Sequence, residues 1–489
     1  MKNINSLRVS HRNQHQPNPN ADYVLYWMSI NRRLHYNFAL EYAVAWANKL
    51  GKPLLIYEGL SCNIPWASDR THTFLIEGMQ EHHEFCLNNN INFYSYIEKK
   101  PSEGAGLVEN LASNACMIIA DEYPVYIIKP YNRLMAKRVN IPWVTIDSNG
   151  LIPMNATDKA PYSAFVFRRQ MQKLFLQCYE HPPEQNPLEQ LKNTTKINLP
   201  TSFLQKYPDA SDLYTNIPEL VSTLQIDHEV HPVTTPGTRQ AALKQLDDFV
   251  EHRLHRYHEE RNDPDLNMVS GLSPWLHYGK VSAYEVVKAT LSQQPKDWDT
   301  SKITYQNGSR PGFFGGHPYI DAFLDELITW RETGFHFCHH TSNYDRFDSL
   351  PDWAIETLET HASDTREYQY TLEEFEQAMT HDPLWNAAQR QLVRDGIIHN
   401  YLRMLWGKKI LEWSESPRIA LQIMIELNNK YSIDGRDPNS YSGIFWILGR
   451  FDRPWGPERP IFGKIRYMTS DSTLKKVKLK NYLKEYSRF

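Results

Sequence analysis

Tyr23-Val24-Leu25-Tyr26-Trp27-Met28-Ser29-Ile30-Asn31-Arg32-Arg33 sets an apolar run of strand length directly against a polar turn. The run, Tyr23 to Met28, has no helical period and reads as a strand. Four more runs of this kind follow at Pro53 to Leu60, Ile91 to Ile97, Ala115 to Asp121 and Ile141 to Asp147. Between them, Phe38 to Leu50, His72 to Leu87, Ala105 to Leu111 and Val125 to Val139 carry apolar residues at helical spacing. Five strands with a helix between each pair predict a parallel, doubly wound sheet covered on both faces, spanning residues 20–155.

The turn after the first strand contains no glycine. Backbone amides cannot close on a pyrophosphate without glycine at the tight positions. No phosphate-cradling loop followed by Lys-Ser or Lys-Thr occurs elsewhere, so the dinucleotide-dehydrogenase and P-loop readings lose most of their weight.

Residues 156–237 read as an interdomain connection with short helices, rich in Pro, Asn, Thr and Gln from about His181 onward. From residue 238 to 489 the pattern becomes helical: Gln240 to His258, Ser282 to Leu291, Tyr319 to Glu332, Leu372 to Thr380, Asn386 to Arg394, Tyr401 to Glu412 and Pro417 to Asn428. The expected architecture is α/β followed by all-α, the second domain being the larger.

Length and composition agree. At 489 residues the chain has room for two or three domains, and 41% hydrophobic residues suffice for large cores. Five scattered cysteines (Cys62, Cys86, Cys116, Cys178, Cys338) show neither metal nor redox spacing and read as reduced thiols. No apolar run reaches membrane-spanning length and no signal peptide is evident, so an intracellular protein, cytoplasmic or nuclear, is expected, acting as a monomer. The net charge of -4 does not advertise nucleic acid, yet Gly463 to Phe489 holds eight basic residues against two acidic ones.

Within the helical half, Trp406 and Trp413 lie seven residues apart, close to two helical turns, and Trp385 precedes them on an adjacent segment. Taken singly, such tryptophans are packing residues. Together with Tyr26-Trp27-Met28-Ser29, Leu272-Ser273-Pro274-Trp275-Leu276-His277-Tyr278-Gly279, Thr380-His381-Asp382-Pro383-Leu384-Trp385-Asn386-Ala387-Ala388-Gln389, Lys408-Lys409-Ile410-Leu411-Glu412-Trp413, Asp434-Gly435-Arg436-Asp437-Pro438-Asn439 and Phe462-Gly463-Lys464-Ile465-Arg466-Tyr467-Met468, they carry a resemblance. The chain closely resembles class II cyclobutane pyrimidine dimer photolyases, in motif order from about Tyr23 onward.

The resemblance implies a light-driven DNA repair enzyme. Reduced FAD, held in the helical domain, would pass an electron to a dimer flipped out of the duplex, and the α/β domain would hold an antenna chromophore of 8-hydroxydeazaflavin or folate type. It further implies Arg403 and Asp434 as a salt bridge by the flavin ring, Asn428 facing flavin N5, and Tyr257, Ser270, Leu272, Ser273 and Asp437 as further cofactor contacts. For the substrate it implies Glu326 on the dimer, Trp330, Met404 and Trp446 as pocket walls, and Arg466 in the gap left in the DNA. Trp406, Trp385 and Trp413 would carry electrons inward to oxidised flavin, with Tyr370 as terminal donor.

Plainer readings stand beside these. Asn428 reads as a helix-end cap, Arg403 and Asp434 as a structural ion pair, and Ser270 to Pro274 as a helix start. Two places depart from the family pattern: His336 stands where asparagine is expected, and the loop Asn307 to Gly316 is unusually rich in Gly and Phe. The His336, Cys338, His339 and His340 cluster is not expected to bind metal. Two alternatives share parts of this pattern: a cryptochrome-like photoreceptor, disfavoured by Glu326 with Trp330 and Trp446 and by the short stretch after Met468, and a damaged-DNA binding protein without turnover.

Overall fold

The computed structural model describes residues 4–488. By its contacts the chain forms two units, neither continuous in sequence. The first comprises Met1–Ala156, Gln177–Gln245 and Leu272–Lys288; the second comprises Thr157–Leu176, Leu246–Gly271 and Ala289–Phe489.

In the first unit the five expected strands form at Tyr23–Trp27 (β2), Leu54–Leu60 (β3), Asn92–Ile97 (β4), Ala115–Asp121 (β5) and Trp143–Ile146 (β6), mutually parallel where they pair. A sixth, Val9–His11 (β1), corrects the five-stranded expectation: it pairs antiparallel with β6 and gives the order β1-β6-β5-β2-β3-β4. Three residues, two of them polar, carry no readable alternation. The strand is instead placed by Arg8, whose guanidinium donates to the carbonyls of Asp147 (3.1 Å), Gly150 (3.2 Å) and Leu151 (2.6 Å).

Helices Phe38–Leu50 (α1), Asp69–Asn88 (α2), Leu107–Ser113 (α3) and Ile128–Arg138 (α4) lie between the strands. Their starts are chemically marked: Asn37 accepts from Ala39 and Leu40 N–H, and Ser68 with Thr71 forms a reciprocal capping box. One face of the sheet packs Val24, Tyr26, Ile56 and Ile119 under α1; the other packs Leu25, Trp27, Leu55 and Ile118 with residues of α3 and α4. The Asn-rich stretch beyond residue 180 is pinned to this unit by Asn48, which donates to Gln190 O (2.8 Å), and Asn92, which donates to Thr195 O (3.0 Å).

The strand order reverses between β2 and β5, where open α/β sheets bind their ligands. Here the turn amides of Ser29, Ile30 and Asn31 all donate to Asp121 Oδ2 (2.9, 2.9 and 3.0 Å), and Tyr26 OH donates to Oδ1 (2.9 Å). A buried carboxyl of the chain itself thus takes up the three amides of this glycine-free turn.

The second unit is helical. Pro318–Leu324 (α5), Arg331–His340 (α6), Pro383–Asp395 (α7), Asn400–Trp413 (α8), Pro417–Tyr431 (α9) and Pro438–Ile447 (α10) are its main elements, with α8 packed against α7, α9 and α10. Prolines at the first turns of α5, α7, α9 and α10 fix these starts where a missing N–H costs nothing. Two expected helices are interrupted. Arg239–Asp248 gives way to a π-turn at Phe249–Arg253, and α5 continues into α6 through a π-turn at Asp325–Trp330. Such turns insert a residue into the helical ladder and recur at functional sites. Among the described residues no helix is long and apolar enough to cross a membrane.

Candidate active site

Glu326 stands on the π-turn between α5 and α6, and its neighbours on that helix hold it in place. Asp325 is gripped by Arg168 through two N–H···O contacts (2.6 and 2.8 Å). Asp321 accepts from Gly312 N (2.6 Å) and Phe314 N (3.0 Å), folding the Gly- and Phe-rich loop back onto the helix. Gln172 secures the same loop, donating to Ser309 O (2.7 Å) and accepting from Gly308 N (2.9 Å). The loop departure is therefore a fixed part of the helical unit.

Glu326 itself pairs with Arg261 (2.6 Å). Burial pushes its carboxyl above the ordinary carboxylate range, against the opposing pull of Arg261. Arg261 also lies over the ring of Tyr257 (5.3 Å), which is buried, with its phenol pushed up by the same desolvation. Tyr257 and Glu326, assigned separately from the sequence, are thus joined through one guanidinium. Arg261 was not singled out from the sequence; its spacing of four from Tyr257 was the available signal.

Arg403 on α8 and Asp434, in the turn before α10, form the expected ion pair at 3.6 Å. Asp434 also accepts from the Ser432 hydroxyl. Among the described residues Arg403 Nε is buried without a hydrogen-bond partner, and so are both ring nitrogens of His399, the N-cap of the same helix. Burial holds the His399 imidazole down at about 4, neutral near physiological pH. Buried polar atoms are almost always satisfied, so this cluster fits a polar group such as a flavin held against it. His399 is a residue that the sequence reading missed, detectable only by its i, i+4 relation to Arg403.

Asn428 does not close its helix. α9 runs on to Tyr431, leaving the carboxamide one turn inside, buried, with Nδ2 donating to Asn429 Oδ1 (3.3 Å). Asp437 caps α10, its carboxylate accepting from Asn439 N (2.6 Å). Ser270 falls in the helical unit, whereas Leu272 and Ser273 fall in the α/β unit, at the start of a five-residue helix, Ser273–His277, without a side-chain cap. The converging hydroxyls expected there are not observed as caps.

Trp385, Trp406 and Trp413 are all buried. Trp385 Nε1–H donates to Trp406 O (2.9 Å), and its ring meets that of Trp413 at 6.2 Å, edge to face. Trp413 meets Tyr370 at 5.8 Å, again edge to face, and accepts at its carbonyl from Tyr370 N (3.0 Å). The far end is fixed by Gln389, whose Oε1 accepts from Trp406 Nε1–H (2.9 Å). Trp385, Trp413 and Tyr370 form a ladder of ring contacts that ends at a partly exposed tyrosine, and Trp406 joins it through its backbone carbonyl.

Trp446 is half-buried on α10, with two cations against it: Arg466 (5.9 Å), which also lies over Trp455 (4.7 Å), and Lys408 (5.2 Å). Lys408 is buried, donates to Ile447 O (2.5 Å) and has its ammonium pushed down to about 7 by desolvation. Trp330 and Met404 are half-buried on separate helical segments. His336 lies in the core, its Nδ1 2.8 Å from the Thr157 hydroxyl, which also meets His340 Nε2 (3.0 Å). One hydroxyl proton serves two imidazoles, so one ring accepts it and the other donates.

An α/β unit whose strand-end turn is closed by an internal carboxylate, together with a helical unit built round a tryptophan ladder, is a photolyase-type fold. The solved structure of a bacterial class III photolyase from Agrobacterium tumefaciens is similar over 96% of this chain and 86% of that one, with a TM-score of 0.66 at 16% identity. Deoxyribodipyrimidine photo-lyases of Methanothermobacter thermautotrophicus, Potorous tridactylus and Arabidopsis thaliana are 34%, 33% and 33% identical, covering 98%, 91% and 94% of this chain and 98%, 77% and 88% of their own. No protein-family model matches the sequence. The chain belongs to the deoxyribodipyrimidine photo-lyase family.

Proposed function

We propose that this protein is a class II-type photolyase that repairs cyclobutane pyrimidine dimers in DNA, acting as a monomer. Reduced FAD, held by the helical unit, would supply the light-driven single electron for opening the cyclobutane ring. Arg403 and Asp434 would hold the flavin, with His399 and Asn428 offering neutral polar atoms that would orient it without adding charge. Tyr257, Ser270 and Asp437, of the same helical unit, would complete the contacts. An antenna chromophore, of 8-hydroxydeazaflavin or folate type, belongs to the α/β unit.

Glu326, a carboxyl raised by burial and paired with Arg261, lies at the dimer and hydrogen-bonds it where negative charge develops. Trp330, Met404 and Trp446 exclude water from the flipped bases. Arg466 fills the vacated space in the duplex, and the basic segment after Gly463 neutralises phosphates. The ladder passes electrons inward from Tyr370 through Trp413 and Trp385 to Trp406, regenerating the reduced cofactor.

Glu326 carries the reading of repair over signalling or passive lesion binding. It is a carboxyl held above its usual range on a π-turn that Arg168 and the 307–316 loop fix from both sides. The test is repair of a dimer-containing oligonucleotide under blue light and in the dark, with Glu326→Ala alongside. Repair in light alone, reduced on the order of 100-fold in the variant, is expected. Undiminished turnover in Glu326→Ala removes Glu326 from the mechanism, and absence of repair in light refutes the reading.

A further inference from the structure

The outer end of the ladder has chemistry beyond electron donation. Tyr370 OH lies 2.7 Å from His381 Nδ1 and accepts from the backbone N–H of His381 (3.0 Å). With that lone pair engaged, the phenolic proton is directed at the imidazole. The His381 ring meets Trp413 at 4.9 Å and is stacked on Tyr368 at 3.7 Å, with planes 16° apart. Tyr368 is 38% exposed, so the stack opens to solvent.

We infer that His381 is the proton acceptor that makes Tyr370 the terminal electron donor. The inference rests on the proposed inward electron relay and adds a proton to it. A phenol that loses an electron while keeping its proton becomes a strongly acidic cation, so tyrosine is a poor donor unless a base takes the proton in the same event. The balanced step is this: Tyr370 gives one electron to the oxidised indole of Trp413, its O–H bond breaks, and the proton passes to Nδ1 of His381. The products are neutral Trp413, a neutral Tyr370 radical and a His381 imidazolium. The oxidant is the indole cation, formed when light-excited oxidised flavin takes an electron through the ladder.

The surroundings favour this direction. Trp413 is 3% exposed, and the Lys409 ammonium 5.1 Å from its ring is itself paired with Glu412 (2.6 Å), so it is burial that disfavours positive charge on the indole and favours its movement outward. The imidazolium gains from the stacked Tyr368 ring and from contact with water.

Two measurements on the full-length protein test the inference. In the flavin-loaded form with the flavin oxidised, in mildly alkaline buffer, a flash is followed by transient absorption and electron paramagnetic resonance. Wild type is expected to convert a tryptophan radical into a tyrosyl radical, more slowly in deuterated solvent. His381→Phe is expected to lose that conversion by roughly 100-fold while still forming the tryptophan radical. Added imidazole is expected to restore it in His381→Gly, an outcome that a packing role does not produce.

Independently of light and flavin, the nitrogen NMR spectrum of His381 is expected to show an unprotonated, hydrogen-bonded Nδ1 whose shift changes in Tyr370→Phe. A protonated Nδ1, or tyrosyl formation at the wild-type rate in His381→Phe, overturns the inference. Unchanged flavin photoreduction in Trp413→Phe overturns the relay itself, a failure that the NMR result does not share.

Discussion

Trp385 donates its indole N–H to the backbone carbonyl of Trp406, 21 residues away and on the neighbouring helix, at 2.9 Å. This bond locks the register of α7 against α8, and with it the position of one ring against the next. Because Trp406 is in turn held by Gln389, the ladder is rigid at its buried end.

Trp406→Phe keeps an aromatic ring but removes the donor to Gln389 and a readily oxidised indole. Light-driven reduction of oxidised flavin is expected to fall by on the order of 100-fold or more. Repair after chemical reduction of the flavin is expected to stay within about twofold of wild type, since in the proposed mechanism the ladder serves activation and not ring opening. Steady illumination followed by visible absorption separates the two.

Arg261→Ala removes the cation that opposes the upward shift of Glu326. The Glu326 carboxyl is expected to titrate still higher, which carbon-detected NMR of side-chain carboxyls reads directly. A carboxyl with a raised folded-state value loses stability as pH rises through its titration, because ionisation is harder in the folded state. The variant is therefore expected to lose about 1–2 kcal/mol at neutral pH and less in acid, where Glu326 is protonated and needs no partner.

His336 is neutral in the core, with burial lowering its imidazole from 6.5 to about 3. Above 6.5 neither state holds the proton, and its contribution to stability is complete. Below 6.5 the unfolded chain takes up a proton that the folded one refuses, so stability falls by about 1.4 kcal/mol per pH unit until the folded value is reached. His336→Asn, the residue of the family pattern, is expected to flatten this part of the profile in urea melts between pH 6.5 and 4.

Arg466→Ala removes a cation stacked on Trp446 and Trp455. Binding to dimer-containing duplex is expected to weaken by about tenfold, with the slope of log affinity against log salt reduced by about 1. Fluorescence anisotropy at four salt concentrations measures both. An unchanged slope would place Arg466 away from the phosphates.

The β2 to β6 strands were legible because strands buried in a sheet are largely apolar, despite polar residues such as Glu58 and Ser95, and β1 was not, because a short edge strand on the end of the sheet needs no such pattern. The π-turns at Phe249 and Asp325 were hidden for a similar reason: one inserted residue scarcely alters hydrophobic spacing. Arg403 with Asp434 and the three tryptophans were found through motif resemblance; Arg261, His399, Lys408 and Gln389 were not, because each acts through a partner distant in the chain or common in any helix.

By itself the sequence determined the order of elements, the absence of a phosphate-binding turn and the family, since these depend on local pattern and on residues kept at fixed spacing. Only the tertiary structure decided that Asp121 fills that turn, that Glu326 answers to Arg261, and that Tyr370 faces a base. The strength of each such contact depends on separation and on exclusion of water, and both arise when distant segments of chain pack together.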